Sequence, residues 1–269
     1  MRHGLAGIII LIAVPTGCGI ARPYVALTKK PETMEYAIDH DHDAVVESLI
    51  DKGFPVDQLR PDGLTPLLYA IKEKHHSCAI TLIRKGANVN FIDKNGMSPT
   101  GYSIAQGGDV EVQFLLDHGA DPNYVSKDGW TILHCAIAAG RNNVVASIVK
   151  KGGNVNALND GRTELYTAAM GGTLKTAQVL LENGADPNAR TKEGRETPIF
   201  AAARQSKQMV QLLLDHGADI NAKNSSGRTA IDWVITESQD PQLKDLVPGK
   251  PMIDFLLSRG AKPTGKKWN

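Results

Sequence analysis

Apolar residues in this chain recur in short paired bursts. Leu67, Ala70 and Ile71 fall at helical spacing, and a second apolar-periodic stretch, "CAITLIRK" (78–85), follows after a polar gap. "VEVQFLLDH" (110–118) is another such second stretch. Before each first burst stands a hydroxyl residue: Thr65, Ser98, Thr131, Thr163, Thr197 and Thr229. A side-chain oxygen there can cap a helix by accepting from a backbone N–H of the first turn. Pro66, Pro99 and Pro198 follow at the first helical position, where the missing N–H costs nothing. Each second burst stops at a glycine, the residue that best takes up the left-handed helix terminus. The pattern predicts a short helix, a tight turn, a second helix, a glycine stop and a short extended finger, repeated along the chain.

The repetition is regular. Glycine stops at Gly53, Gly86, Gly119, Gly152, Gly184, Gly217 and Gly260 are spaced by 33, 33, 33, 32, 33 and 43 residues. The starts "TPLL" (65–68), "SPTG" (98–101), "TILH" (131–134), "TELY" (163–166), "TPIF" (197–200) and "TAID" (229–232) keep phase with them. "LLDHGADPN" (115–123) and "LLDHGADIN" (213–221) complete the motif. The chain therefore resembles the ankyrin-repeat family, whose period is about 33 residues with a T-P-L-H-x-A start. The resemblance implies an all-α solenoid of about seven helix-turn-helix units with short β-turn fingers, over residues 31–264. The expected units are 31–61, 62–94, 95–127, 128–159, 160–193, 194–225 and 226–264, with a C-terminal tail at 265–269. One unit alone cannot bury its apolar faces, whereas stacked units share a continuous core.

Composition narrows the function. Aromatics are only 5% of residues, which suits helices packed through Ala and Leu, and a net charge of +1 leaves no nucleic-acid footprint. The N-terminus stands apart from the repeats. In "MRHGLAGIIILIAVPTGCG", a basic start precedes ten apolar residues from Leu5 to Val14, too few for a bilayer span of about 20. They fit a secretory signal peptide. The ending Thr16-Gly17-Cys18 resembles the lipobox of bacterial lipoproteins, with Pro15 departing from its usual aliphatic residue. The reading is a lipoprotein-type signal over 1–17, lipidation at Cys18 and a linker over 18–30. It places the chain in a bacterial cell envelope, facing the periplasm, as an outer-membrane lipoprotein held to the membrane by its N-terminal lipid. Cleavage near Gly19 or Ala21, releasing a soluble periplasmic or secreted protein, is the alternative.

Several stretches tempt a chemical reading. "DHDHD" (39–43) offers five potential metal ligands in a row, and "KHHSC" (74–78) occupies the same register, eleven residues before a glycine stop. That slot is the turn between the two helices, with Asp43 able to cap the second. Ligands strung along one turn do not converge on a metal. "GAKPTGKK" (260–267) has phosphate-loop spacing, but Lys267 replaces the hydroxyl residue such loops require. His134-Cys135 lies on the repeat's own His and core positions, and Cys78 and Cys135, two units apart, are too distant for a disulfide. No catalytic, metal or cofactor residues are assigned.

Binding is what remains. By register, one finger-tip row is Leu64, Met97, Trp130, Arg162, Glu196 and Arg228, and a row at the ends of the first helices includes Lys72, Gln106, Met170 and Arg204. An exposed Trp flanked by apolar residues is a hot-spot pattern. The expected function is a non-catalytic, monomeric scaffold that binds a protein partner, acting as an immunity protein or inhibitor of a toxin or lipase. A protective or assembly factor for a periplasmic enzyme and a secreted host-directed effector are the alternatives. Two irregularities mark the frame. The finger after Asn156 is one residue short and that after Asn188 one residue long, and ten extra residues lie within 236–251.

Overall fold

The computed structural model describes residues 33–239 and 249–265. The proposed signal, Cys18 and the linker lie outside the described residues, as do most of the insert within 236–251 and the last four residues of the tail.

Fourteen α-helices among the described residues form seven antiparallel pairs: α1 (Met34–Asp39) with α2 (Asp43–Asp51), α3 (Pro66–Lys72) with α4 (His76–Arg84), α5 (Pro99–Gln106) with α6 (Asp109–Asp117), α7 (Ile132–Ala138) with α8 (Asn142–Lys150), α9 (Glu164–Met170) with α10 (Leu174–Glu182), α11 (Pro198–Gln205) with α12 (Lys207–Asp215), and α13 (Ala230–Gln239) with α14 (Gly249–Ser258). First helices pack on first helices from α1 to α13, and second helices on second helices from α2 to α12, so the stack has two layers. Its core runs unbroken from Met34 to Ala261. Small residues line the first-helix layer, with Ala70, Ala136, Ala168, Ala169 and Ala201 fully buried. Leu82, Leu115, Ile148, Leu180 and Leu213 fill the second layer.

The caps follow the sequence with three exceptions. Thr65, Ser98, Thr131 and Thr163 each accept a hydrogen bond from the backbone N–H three residues on. Thr197 makes no such bond, and its hydroxyl is buried without a partner. This helix follows the finger that is one residue long, in which Arg195 takes a positive φ of 53°. At α13 the roles reverse: the Thr229 hydroxyl donates to Asp232, which also accepts from the Thr229 N–H. Asp43 does not cap α2; it is the first helical residue, and His42 sits at the cap without a side-chain bond. The glycine stops behave as expected. At Gly86, φ is +84°, and the N–H groups of Gly86 and Ala87 return to the carbonyls of Ile83 and Leu82, satisfying the helix end.

Neighbouring units are clasped by asparagine. Asn90, Asn123, Asn156, Asn188 and Asn221 each accept, at 2.8–2.9 Å, an N–H of the following unit. Each also donates to that unit's stop-glycine carbonyl at 2.9–3.2 Å. The last clasp reaches Gly260 and Lys262, so the insert leaves it intact.

Candidate binding surface

Finger length dictates finger shape. In the finger that is one residue short, strands β1 (Leu158–Asn159) and β2 (Arg162–Thr163) pair across Asp160-Gly161. Both central residues have positive φ, 48° and 72°, the primed turn that a two-residue hairpin prefers. Fingers of the commoner length close over three residues instead. Asp93 N–H donates to the Met97 carbonyl, Gly96 N–H donates to Asp93, and Gly96 takes the left-handed position. Ser126, Gly129 and Trp130 repeat that geometry, with Val125 bridging Thr131. Successive fingers also touch: the Lys192 N–H donates to the Gly161 carbonyl at 2.7 Å, and the Ser225 N–H to that of Gly194 at 2.9 Å.

On this frame the proposed finger-tip row divides. Leu64 is only 7% exposed and presents almost no side chain. Met97, Glu196 and Arg228 are half-buried, and Arg162 is exposed. Trp130 is 45% exposed, with its ring edge-on to His134 at 4.9 Å. The helix-end row also divides. Lys72 is exposed, and its carbonyl accepts from Gln106. Met170 is exposed. Arg204 stacks 4.3 Å over Trp233 and lies 3.9 Å from Glu196, whose other oxygen accepts from the Tyr166 hydroxyl at 2.8 Å. Arg162, Tyr166 and Glu196 thus border one depression of about 190 Å³.

Two features were missed in the sequence. Beneath Trp130, Glu164 is fully buried, accepting from the Thr131 hydroxyl at 2.9 Å and lying 3.2 Å from the His134 ring. Its place in "TELY" is where three other units carry Pro66, Pro99 and Pro198, and a charged residue there was the available signal. The second is an exposed apolar series at Leu59, Ile92, Val125 and Leu158, legible as a 33-residue spacing.

Neither cysteine among the described residues is an activated nucleophile. Burial, then Asp41, pushes the Cys78 thiol up to about 12, and burial, then Glu164, raises that of Cys135. Both remain thiols at neutral pH, whereas a reactive cysteine needs its thiolate. Burial, then Glu196, pushes the Tyr166 phenol up to about 12. In the "DHDHD" turn, the His40 Nδ1 lies 2.9 Å from the Tyr36 carbonyl, the ring stacks on Tyr36, and Asp41 accepts the Cys78 N–H. His76 pairs with Glu111. Among the described residues no three His, Cys, Asp or Glu side chains are grouped to hold a metal, and no helix is long and apolar enough to cross a membrane.

Family models of ankyrin repeats match residues 34–126, 105–191 and 180–233. The chain belongs to the ankyrin-repeat family. No curated protein sequence matches it. Among solved structures it is similar to the ankyrin-repeat domain of human ASB11, with 25% identity over 88% of this chain and 100% of that one and a TM-score of 0.62. An ankyrin-repeat domain from Acinetobacter baumannii AYE is 29% identical, covering 69% of this chain and 98% of that one at a TM-score of 0.63. The ankyrin-repeat domain of Bcl-3, described as a unique member of the IkappaB family, shares the fold at 22% identity and a TM-score of 0.66, over 83% and 97% of the two chains. Ankyrin-repeat domains are generally protein–protein interaction modules, and the fold is typically a non-catalytic scaffold.

Proposed function

We propose that this ankyrin-repeat chain is a non-catalytic scaffold of a bacterial cell envelope that binds one protein partner across its fingers and first-helix ends. Its role is that of an immunity protein or inhibitor, which blocks a toxin or lipase by covering it. The observation that carries the reading is Trp130, a large aromatic left 45% exposed at its finger. Exposed aromatic anchors supply most of an interface's energy. Truncating one costs about 2 kcal/mol or more, so Trp130→Ala is expected to weaken partner binding by roughly thirtyfold. A titration against a partner captured from the periplasmic fraction, run beside a thermal melt, tests this. A lowered melting temperature with unchanged affinity per folded molecule would make Trp130 packing rather than contact.

The envelope reading is supported by the basic start, the Leu5–Val14 run and the Thr16-Gly17-Cys18 ending. Cys18→Ser is expected to shift the protein from the membrane fraction to the soluble periplasm. Wild-type protein that takes up no labelled palmitate would refute the lipid anchor.

A further inference from the structure

The exposed apolar series is narrow, long and directional. Leu59, Ile92, Val125 and Leu158 are 52%, 38%, 50% and 59% exposed, in four consecutive fingers. Each stands two residues after the residue that clasps the following unit: Asn90, Asn123 and Asn156, and Asp57, whose carboxylate accepts the Asn88 N–H at 2.9 Å. The same slot in the next two fingers holds Arg190 and Lys223, both exposed. Arg190 is fixed along the row by donating to the carbonyls of Lys223 and Arg195 at 2.6 and 2.9 Å. Equivalent positions in stacked units recur at the packing distance of helices, about 8–10 Å. The surface is thus a single file of four apolar side chains ending in two cations.

Three arguments settle what covers it. A second copy related by a two-fold axis would set Leu59 against Lys223 and Ile92 against Arg190, so the row is not complementary to itself. An amphipathic helix presents a face at least 100° wide, too broad for a row one residue across. An extended β-strand turns alternate side chains away, so residues three apart point to opposite sides. A polyproline-II segment, by contrast, returns to the same face every third residue, at about 9.3 Å. That pitch matches the row.

We infer that the finger row from Leu59 to Lys223 binds a polyproline-II segment of the partner, with an apolar residue at every third position and acidic residues at the end nearest Arg190. The inference rests on the protein-binding reading above and specifies the partner's recognition element. The basic pair fixes the segment's direction by charge complementarity, and the clasps hold successive fingers in order.

The probe is a fluorescein-labelled 16-residue peptide with Leu at positions 1, 4, 7 and 10, Glu at 13 and 16 and Pro elsewhere, together with its reversed sequence. Fluorescence anisotropy with the mature chain is expected to show saturable binding of one of the two. Val125→Glu and Leu158→Glu should each weaken it at least tenfold, as should moving the leucines to every fourth position. Leu257→Glu, on an exposed apolar residue away from the row, should leave it unchanged. Retained thermal melts of all three variants would show that they fold. Equal binding of the every-fourth peptide, or binding of neither direction, overturns the inference. So does self-association abolished by Val125→Glu, or preference for a helical peptide with Leu at every seventh position. The two readings separate cleanly. A captured protein partner lost on Trp130→Ala but indifferent to Val125→Glu and Leu158→Glu overturns the row and leaves protein binding standing. Failure to bind any protein overturns both.

Discussion

Phe200→Ala is expected to lower stability by about 3–5 kcal/mol, the cost of truncating a buried aromatic and leaving its cavity. Phe200 is 1% exposed in α11, the largest fully buried side chain among the described residues. α11 packs against both α9 and α13, so a cavity within it weakens the layer that joins neighbouring units. Domains are stable by only about 5–15 kcal/mol, so this single change removes a large fraction. Because a stacked solenoid shares its stability between neighbours, the loss should be local. Urea unfolding is expected to gain an early transition, and amide exchange to lose protection first in α9–α14 while α3–α6 stay protected. A midpoint shift worth under 1 kcal/mol would mean the site collapses without a cavity.

Asp232→Ala is expected to cost about 3 kcal/mol, because four donors lose a charged acceptor. Asp232 takes the N–H and hydroxyl of Thr229, each at 2.9 Å, and those of Thr264, each at 2.7 Å, tying the start of α13 to the segment after α14. Burial pushes its carboxyl up, but the hydrogen bonds from Thr229 and Thr264 outweigh it and hold the group below the ordinary carboxylate range. Asp93 behaves alike: burial raises it, and bonds from Met97, Tyr102 and Asn95 bring it net lower. A carboxyl lowered on folding contributes its full stability above the unfolded value, near pH 3.9, and loses it as pH falls through the lower folded value. Melting temperature should therefore fall as the medium is acidified below about pH 4. Asp232→Asn should start less stable at neutral pH and show a flatter decline. Parallel slopes for variant and wild type would remove Asp232 from the acid response.

The frame was largely legible because its signals are local. A hydroxyl residue, a proline and a glycine at fixed offsets act through bonds within one turn, and they placed the helix pairs. Thr197 failed as a cap where its finger gained a residue, and Thr229 failed where Asp232, three residues on, was the stronger acceptor. Neither competition is visible in a threonine read alone. The surface was less legible. Register placed Leu64 and Trp130 in one row, yet burial separates them, Leu64 being 7% and Trp130 45% exposed. Glu164 became a buried acceptor through residues 30 and 33 positions away, His134 and Thr131, a distance no local pattern spans. The series from Leu59 to Leu158 was present in the register, two positions after each clasp residue, but apolar identity alone does not tell an exposed finger position from a packed one.

The asparagine clasps also dictate how the molecule gives way under tension. A pull applied between the two ends runs along the stack, so it loads each clasp in series rather than sharing the force among them. The weakest joint opens first, the neighbouring units keep their own clasps, and the chain lengthens in steps. Each released unit of about 33 residues pays out roughly 110 Å of contour. A protein tethered at one end and holding its partner along the stack would yield in this way as an extensible spring, absorbing displacement one unit at a time while the remaining units stay folded.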